Sequence, residues 1–249
     1  MTAARVVLVR PRSPGNVGSV ARAMKNFGLG DLVLVDPRLN RHRDAPGEEP
    51  YFERESRRMA WHAADVLDGA STVASLEEAL APCSFALATA PRAYARFAAF
   101  SPEEGAERLA GAGPGSGLPA LVFGSESSGL TTDELARCAG VVVIPTDPAY
   151  RDLNVAQSVV LMAYLTFRAL RSPRAPYAAE SASQSSREGL AEVLDTVARE
   201  AGFLKAGSGP VALELRQMVH RLGLTRRDTE ILRALLRRAL HRMEKAGGE

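Results

Sequence analysis

Cysteine, histidine and tryptophan are scarce in this chain: two, four and one among 249 residues. Cys83 and Cys138 stand far apart with no C-x-x-C partner. That excludes a disulfide framework and a cysteine-based metal site, and it predicts a reduced, cytoplasmic protein. His42, His62, His220 and His241 show no ligand spacing, so no metal is expected. Long apolar runs are missing too. The best candidate, Val155–Leu165, is short and interrupted by Gln157, so no membrane span is expected. Only four apolar residues separate Arg5 from Arg10, too few for a signal peptide.

Charge of one sign is also lacking. Lys and Arg number 31 against 29 Asp and Glu, a net charge of +2 that does not by itself point to nucleic acid. The distribution is uneven: residues 187–249 hold 12 basic and 9 acidic side chains, so the excess sits in the tail. Three common ligand loops are absent. The first turn reads RPRSPGN, not G-x-G-x-x-G. No G-x-x-x-x-G-K-[ST] occurs. The run GSESSG at 124–129 lacks the G-x-S-x-G spacing of a serine hydrolase.

What the chain does contain is α/β alternation. RVVLVR (5–10) reads as a buried parallel strand, 16–27 as a helix stopped by Gly28, and DLVLVD (31–36) as a second strand. Residues 53–67 read as one helix, 72–73 as a short strand, 76–80 as a helix and 84–89 as a strand. The span 91–100 reads as a turn and 111–119 as a flexible loop. The stretch 120–170 carries two further units, each an apolar run, a polar turn and a helix. Turns of this kind are where open α/β sheets place ligands. Those at 124–129 and 145–154 are expected to form one pocket.

The helix from Asn154 to about Arg171 is apolar almost all round, so it is expected to lie deep in the domain or against a second subunit; a dimer interface is the favoured reading. The segment 172–186, rich in Pro, Ser and Ala, reads as a linker. It separates a main domain (1–171) from a helical extension (187–249) of three amphipathic helices, the last opened by Thr225 and Asp228 as a capping box.

Four polar residues stand at strand ends or on the first helix: Asn16, Arg22, Glu126 and Asn154. Asn16 and Asn154 read equally as helix caps, and Glu126 as an acceptor for turn N–H groups. Arg22 lies between two alanines on an apolar helix and is expected to be paired or to face a pocket. Arg38, Arg41 and Arg43 in the loop 37–50 read either as a solvated face or as phosphate contacts. The arginines of the last helix, Arg237 among them, carry the same two readings. Arg10, at the end of the first strand, joins this candidate RNA-binding set.

The runs PGNVGSVARAMKNFGL, LVFGSESSGLT and IPTDPAYRDLNVAQSV, in that order, resemble the three signature motifs of SPOUT-class (TrmH superfamily) RNA 2′-O-methyltransferases. The helical tail resembles that of the TrmJ subgroup, which methylates a ribose at position 32 of the tRNA anticodon loop. The resemblance implies an α/β fold with a mainly parallel sheet and a C-terminal deep trefoil knot. It implies a homodimer through the knot helix, an RNA substrate and S-adenosylmethionine as cofactor. Thr89, Ala90, Gly124, Glu126, Ile144, Leu153 and Asn154 would bind the cofactor. Arg22 would be the catalytic arginine and Asn16 would help place it. Asp152 stands where many members carry serine, and three roles are open to it: base, partner of Arg151 or Arg22, or a charge that repels phosphate. The alternatives are a 2′-O-methyltransferase acting on ribosomal RNA or another tRNA position, and a non-catalytic knotted RNA-binding protein.

Overall fold

The computed structural model describes residues 4–38, 51–111, 117–171 and 181–246. Strands β1 (Arg5–Val9), β2 (Asp31–Val35), β3 (Ser71–Val73), β4 (Ala86–Ala90), β5 (Ala99–Phe100), β6 (Ala120–Phe123) and β7 (Gly140–Val143) form one sheet. Its order is β3-β2-β1-β6-β4-β7-β5, and every neighbouring pair is parallel. A parallel sheet is covered on both faces, which is why its strands read as unbroken apolar runs. Val6, Leu8, Leu32, Leu34, Leu121 and Phe123 face one helical layer. Val7, Val9, Val33, Val35, Val122 and Val141 face the other.

The first layer holds α1 (Pro14–Asn26), α2 (Tyr51–Ala60), α3 (Ala64–Asp68), α5 (Pro102–Gly111) and α7 (Val155–Arg171); the second holds α4 (Leu76–Leu80) and α6 (Thr132–Ala136). The Ser13 hydroxyl starts α1 by accepting the Asn16 N–H at 3.3 Å, with Pro14 in the first turn. Gly28, at φ 72°, lets the chain leave the helix. α1 packs on α2 through Gly18, where a Cβ would collide with the Ser56 carbonyl.

The single helix expected over 53–67 is broken. A 3-10 turn at Trp61–Ala63 separates α2 from α3, with Trp61 in the left-handed region at φ 54°. Two elements are additions to the sequence reading: the edge strand β5, inside the stretch read as a turn, and α5. Within its own chain α7 is covered on one side only, so depth in the domain does not account for its apolar pattern. It buries Ala156, Val159, Met162, Ala163 and Thr166, while Val160, Leu161 and Tyr164 form an exposed stripe along its outer side.

The helical extension consists of α8 (Gln184–Glu200), α9 (Gly209–Arg221) and α10 (Arg226–Ala246). The expected cap is present: Thr225 Oγ1 accepts the Asp228 N–H at 3.1 Å, and Asp228 Oδ2 accepts the Thr225 N–H at 2.8 Å. Of the expected linker 172–186, residues 172–180 lie outside the described residues. Its end is already folded, since Ser181 bridges to Thr225 and α8 begins at Gln184.

The extension docks at the amino ends of the interior strands β4 and β7 through a buried polar seam. Gln184 donates through its N–H to the Cys83 carbonyl and through Nε2 to the Arg137 carbonyl at 2.7 Å. Arg187 donates to the Ser84 carbonyl, and Gln217 to the Cys138 carbonyl. These carbonyls belong to the segments leading into β4 and β7. Buried backbone acceptors must find donors, and here the extension supplies them.

Candidate active site

The order of the sheet fixes where a site can form. From β1 the chain steps outward to β2 and β3. It then returns with β4 on the other side, and β6 later fills the gap between β1 and β4. Such a reversal opens a crevice beyond the carboxyl ends of the strands. β6, β4 and β7 are adjacent, and their carboxyl ends carry Gly124, Thr89–Ala90 and Ile144. Three of the segments expected to hold a cofactor therefore lie side by side. Thr89, Ala90, Gly124 and Ile144 are half-buried, and Leu153 and Asn154 are exposed just before α7. The Thr89 hydroxyl donates to the Val122 carbonyl at 3.3 Å.

A chain of hydrogen bonds joins the three motif segments. The Glu126 carboxylate accepts from the backbone N–H groups of Arg12 (3.1 Å) and Ser13 (3.3 Å), and from Asn16 Nδ2 (2.9 Å). Asn16 Oδ1 in turn accepts from Asn154 Nδ2 at 2.9 Å. Asn154 Oδ1 accepts the Ala156 N–H at 2.8 Å, so it also caps α7. The structural readings of Glu126 and Asn154 hold, since each satisfies backbone groups, and both are also linked through Asn16. Arg12 and Ser13, whose N–H groups fix Glu126, were not singled out from sequence; the Ser-Pro helix start at 13–14 is the signal that marked them.

Arg22 and Asp152 stand apart from this chain. Arg22 is exposed on the outer side of α1 and has no hydrogen-bond or ion-pair partner among the described residues. Of the two expectations for Arg22, pairing is not met among the described residues. Asp152 is exposed as well. Arg151 donates to the Pro148 carbonyl at 3.3 Å, not to Asp152.

The candidate RNA-binding arginines fall into three groups. Arg10 is turned inward onto Glu134, with both terminal nitrogens on the carboxylate and Nη2 also 3.4 Å from the Gly129 carbonyl. Its hydrogen bond to Glu134 raises the Arg10 pKa. Burial pushes Glu134 upward, but bonds from Arg10 and Thr131 outweigh it and hold the carboxyl below its ordinary range. Arg38 lies on Asp36 at 2.9 Å, and Arg237 is exposed. Arg41 and Arg43 lie outside the described residues. Among the described residues no group of three or more His, Cys, Asp or Glu is placed to hold a metal.

An open parallel sheet with a polar-wired crevice at its switch point defines the class, and comparison with known proteins makes it specific. Residues 3–164 match the model of the SpoU rRNA Methylase family, and the chain belongs to that family. The tRNA (cytidine/uridine/adenosine-2′-O-)-methyltransferase TrmJ of Pseudomonas aeruginosa is 43% identical over 161 residues, 64% of this chain and 58% of that protein. The tRNA (cytidine/uridine-2′-O-)-methyltransferase TrmJ of Yersinia pestis (strain Pestoides F) is 33% identical over 241 residues, covering 93% and 89% of the two chains. The crystal structure of TrmJ from Z. mobilis ZM4 superposes with a TM-score of 0.76 at 28% identity, covering 94% of this chain and 97% of that one.

Proposed function

We propose that this protein is a tRNA ribose 2′-O-methyltransferase that uses S-adenosylmethionine and modifies cytidine or uridine at position 32 of the anticodon loop. The observation that carries the reading is the hydrogen-bonded chain Glu126–Asn16–Asn154, which ties the three motif segments together at adjacent strand ends. Backbone N–H and C=O groups at the three neighbouring strand ends, with Ala90, Ile144 and Leu153 beside them, would hold the cofactor. Bound there, S-adenosylmethionine supplies an electrophilic methyl group.

The remaining work belongs to the protein. Arginine stays protonated near neutral pH and is a poor base. Arg22 therefore binds the phosphate beside the target ribose and stabilises negative charge developing on the 2′-oxygen. The exposed Asp152 carboxylate is the candidate proton acceptor, and phosphate or water is the alternative. Alignment of the 2′-oxygen contributes further to the rate.

In this reading the protein is cytoplasmic, the segment 120–171 forms a trefoil knot, residues 1–171 are its methyltransferase domain and α8–α10, beginning at Gln184, are its helical extension. The exposed apolar stripe of α7 supports a homodimer. Arg22, exposed and without an ion-pair partner among the described residues, supports an anionic RNA partner. Among the described residues no helix is long and apolar enough to cross a membrane. The test is Arg22→Ala: methyl transfer to tRNA falls while S-adenosylmethionine binding is retained. Full activity in this variant overturns the assignment.

A further inference from the structure

We propose that Arg10 is a positioning residue that holds the Gly124–Gly129 turn in its cofactor-binding shape, an inference that rests on the methyltransferase reading above. The turn is tightly folded. The Gly129 N–H donates to the Ser125 carbonyl at 2.8 Å, Gly129 sits at φ 63°, and a Cβ on Gly124 would collide with the Gly129 backbone. Its near side is held by Glu126, which takes three hydrogen bonds from residues 12–16. Its far side is held by Arg10. The guanidinium grips Glu134 with both terminal nitrogens and reaches the Gly129 carbonyl. Glu134 also accepts the Thr131 N–H at 2.7 Å and so closes the cap of α6. Both anchors come from the same short segment, residues 10–16, so the turn is fixed at two points against the start of α1.

The backbone at Arg10 carries the mark of this role. Arg10 follows β1 at φ 51°, a region that non-glycine residues avoid. The pair is largely shielded, with side-chain exposures of 24% and 15%. A bidentate arginine–carboxylate pair fixes direction as well as distance. Lysine, a point charge, reproduces only part of that geometry.

The experiment compares wild type, Arg10→Ala, Arg10→Lys and Glu134→Gln by three readouts. These are amide hydrogen exchange over 124–131 in the cofactor-free protein, calorimetric Kd for S-adenosylhomocysteine, and Kd for a tRNA transcript. Arg10→Ala is expected to speed exchange in the turn and to raise the S-adenosylhomocysteine Kd about tenfold, roughly the loss of one net hydrogen bond. Arg10→Lys recovers part of both effects, and tRNA affinity is unchanged. If Arg10→Ala does not fold, Glu134→Gln makes the same test from the other side of the pair. Unchanged turn exchange and cofactor affinity, with weakened tRNA binding, would return Arg10 to the RNA contacts and overturn the proposal. A wild-type protein that binds no S-adenosylhomocysteine refutes the methyltransferase reading instead; the exchange data then still decide whether Arg10 holds the turn.

Discussion

The seam between the extension and the main domain predicts a specific acid sensitivity. His220 on α9 is buried, and its ring accepts from Gln184 Nε2 at Nδ1 (3.1 Å) and donates from Nε2 to Glu188 (2.9 Å). Burial and the nearby Arg187, Arg216 and Arg137 push its pKa from 6.5 down to about 3. The unfolded chain thus takes up a proton near pH 6.5, and the folded chain only near pH 3. Between those values the unfolded state binds more protons, so stability falls as pH falls, by ~1.4 kcal/mol per pH unit. From pH 7 to pH 5 this one group removes about 2 kcal/mol. Urea unfolding at both pH values, at one protein concentration, measures the loss in wild type and in His220→Gln, which keeps an amide for the same partners but does not titrate. Carboxylates contribute to both proteins alike. The wild type should lose about 2 kcal/mol more than the variant. Equal losses would refute a neutral, buried His220.

Three further outcomes follow from packing and chemistry. Gly18→Ala should lower stability by about 1–3 kcal/mol, because its Cβ meets the Ser56 carbonyl; an unchanged melting temperature would contradict the α1–α2 contact. If the proposed homodimer forms through α7, wild type should sediment as a dimer and Leu161→Glu, on its exposed stripe, as a monomer; a monomeric wild type, or a dimer retained in the variant, would contradict that interface. Asp152→Asn should lower kcat on the order of 10²-fold, with cofactor affinity unchanged. An unchanged kcat would leave the proton to phosphate or water.

The parts of the fold visible in the sequence were those with a simple period or a cap. RVVLVR and DLVLVD became β1 and β2 because both faces of a parallel strand are buried. The first helix was legible from its apolar spacing and its stop at Gly28, read as 16–27; its start at Pro14 under the Ser13 cap lies two residues earlier. Nothing in the spacing of Ala99–Phe100 distinguishes a two-residue edge strand from a turn. The break at Trp61 was hidden because its left-handed backbone falls on a residue type that does not favour it. Gln184, Gln217 and His220 lie on amphipathic helices, where polar residues are expected to face water. Only the tertiary fold sets Gln184 and Gln217 against backbone carbonyls and His220 against Gln184 and Glu188. At the site, Glu126, Asn16 and Asn154 stood out as polar residues at strand ends. Arg10 did not stand out as an internal clamp, since its partner Glu134 is 124 residues away.

The central claim is methyl transfer to a ribose of tRNA. The direct measurement is transfer from labelled S-adenosylmethionine to unmodified tRNA transcripts, with digestion to identify the modified nucleoside and its position. A 2′-O-methylated cytidine or uridine at position 32 is the predicted result. Absence of transfer to tRNA, with S-adenosylmethionine bound, would contradict it; transfer to ribosomal RNA instead would keep the chemistry and change the substrate.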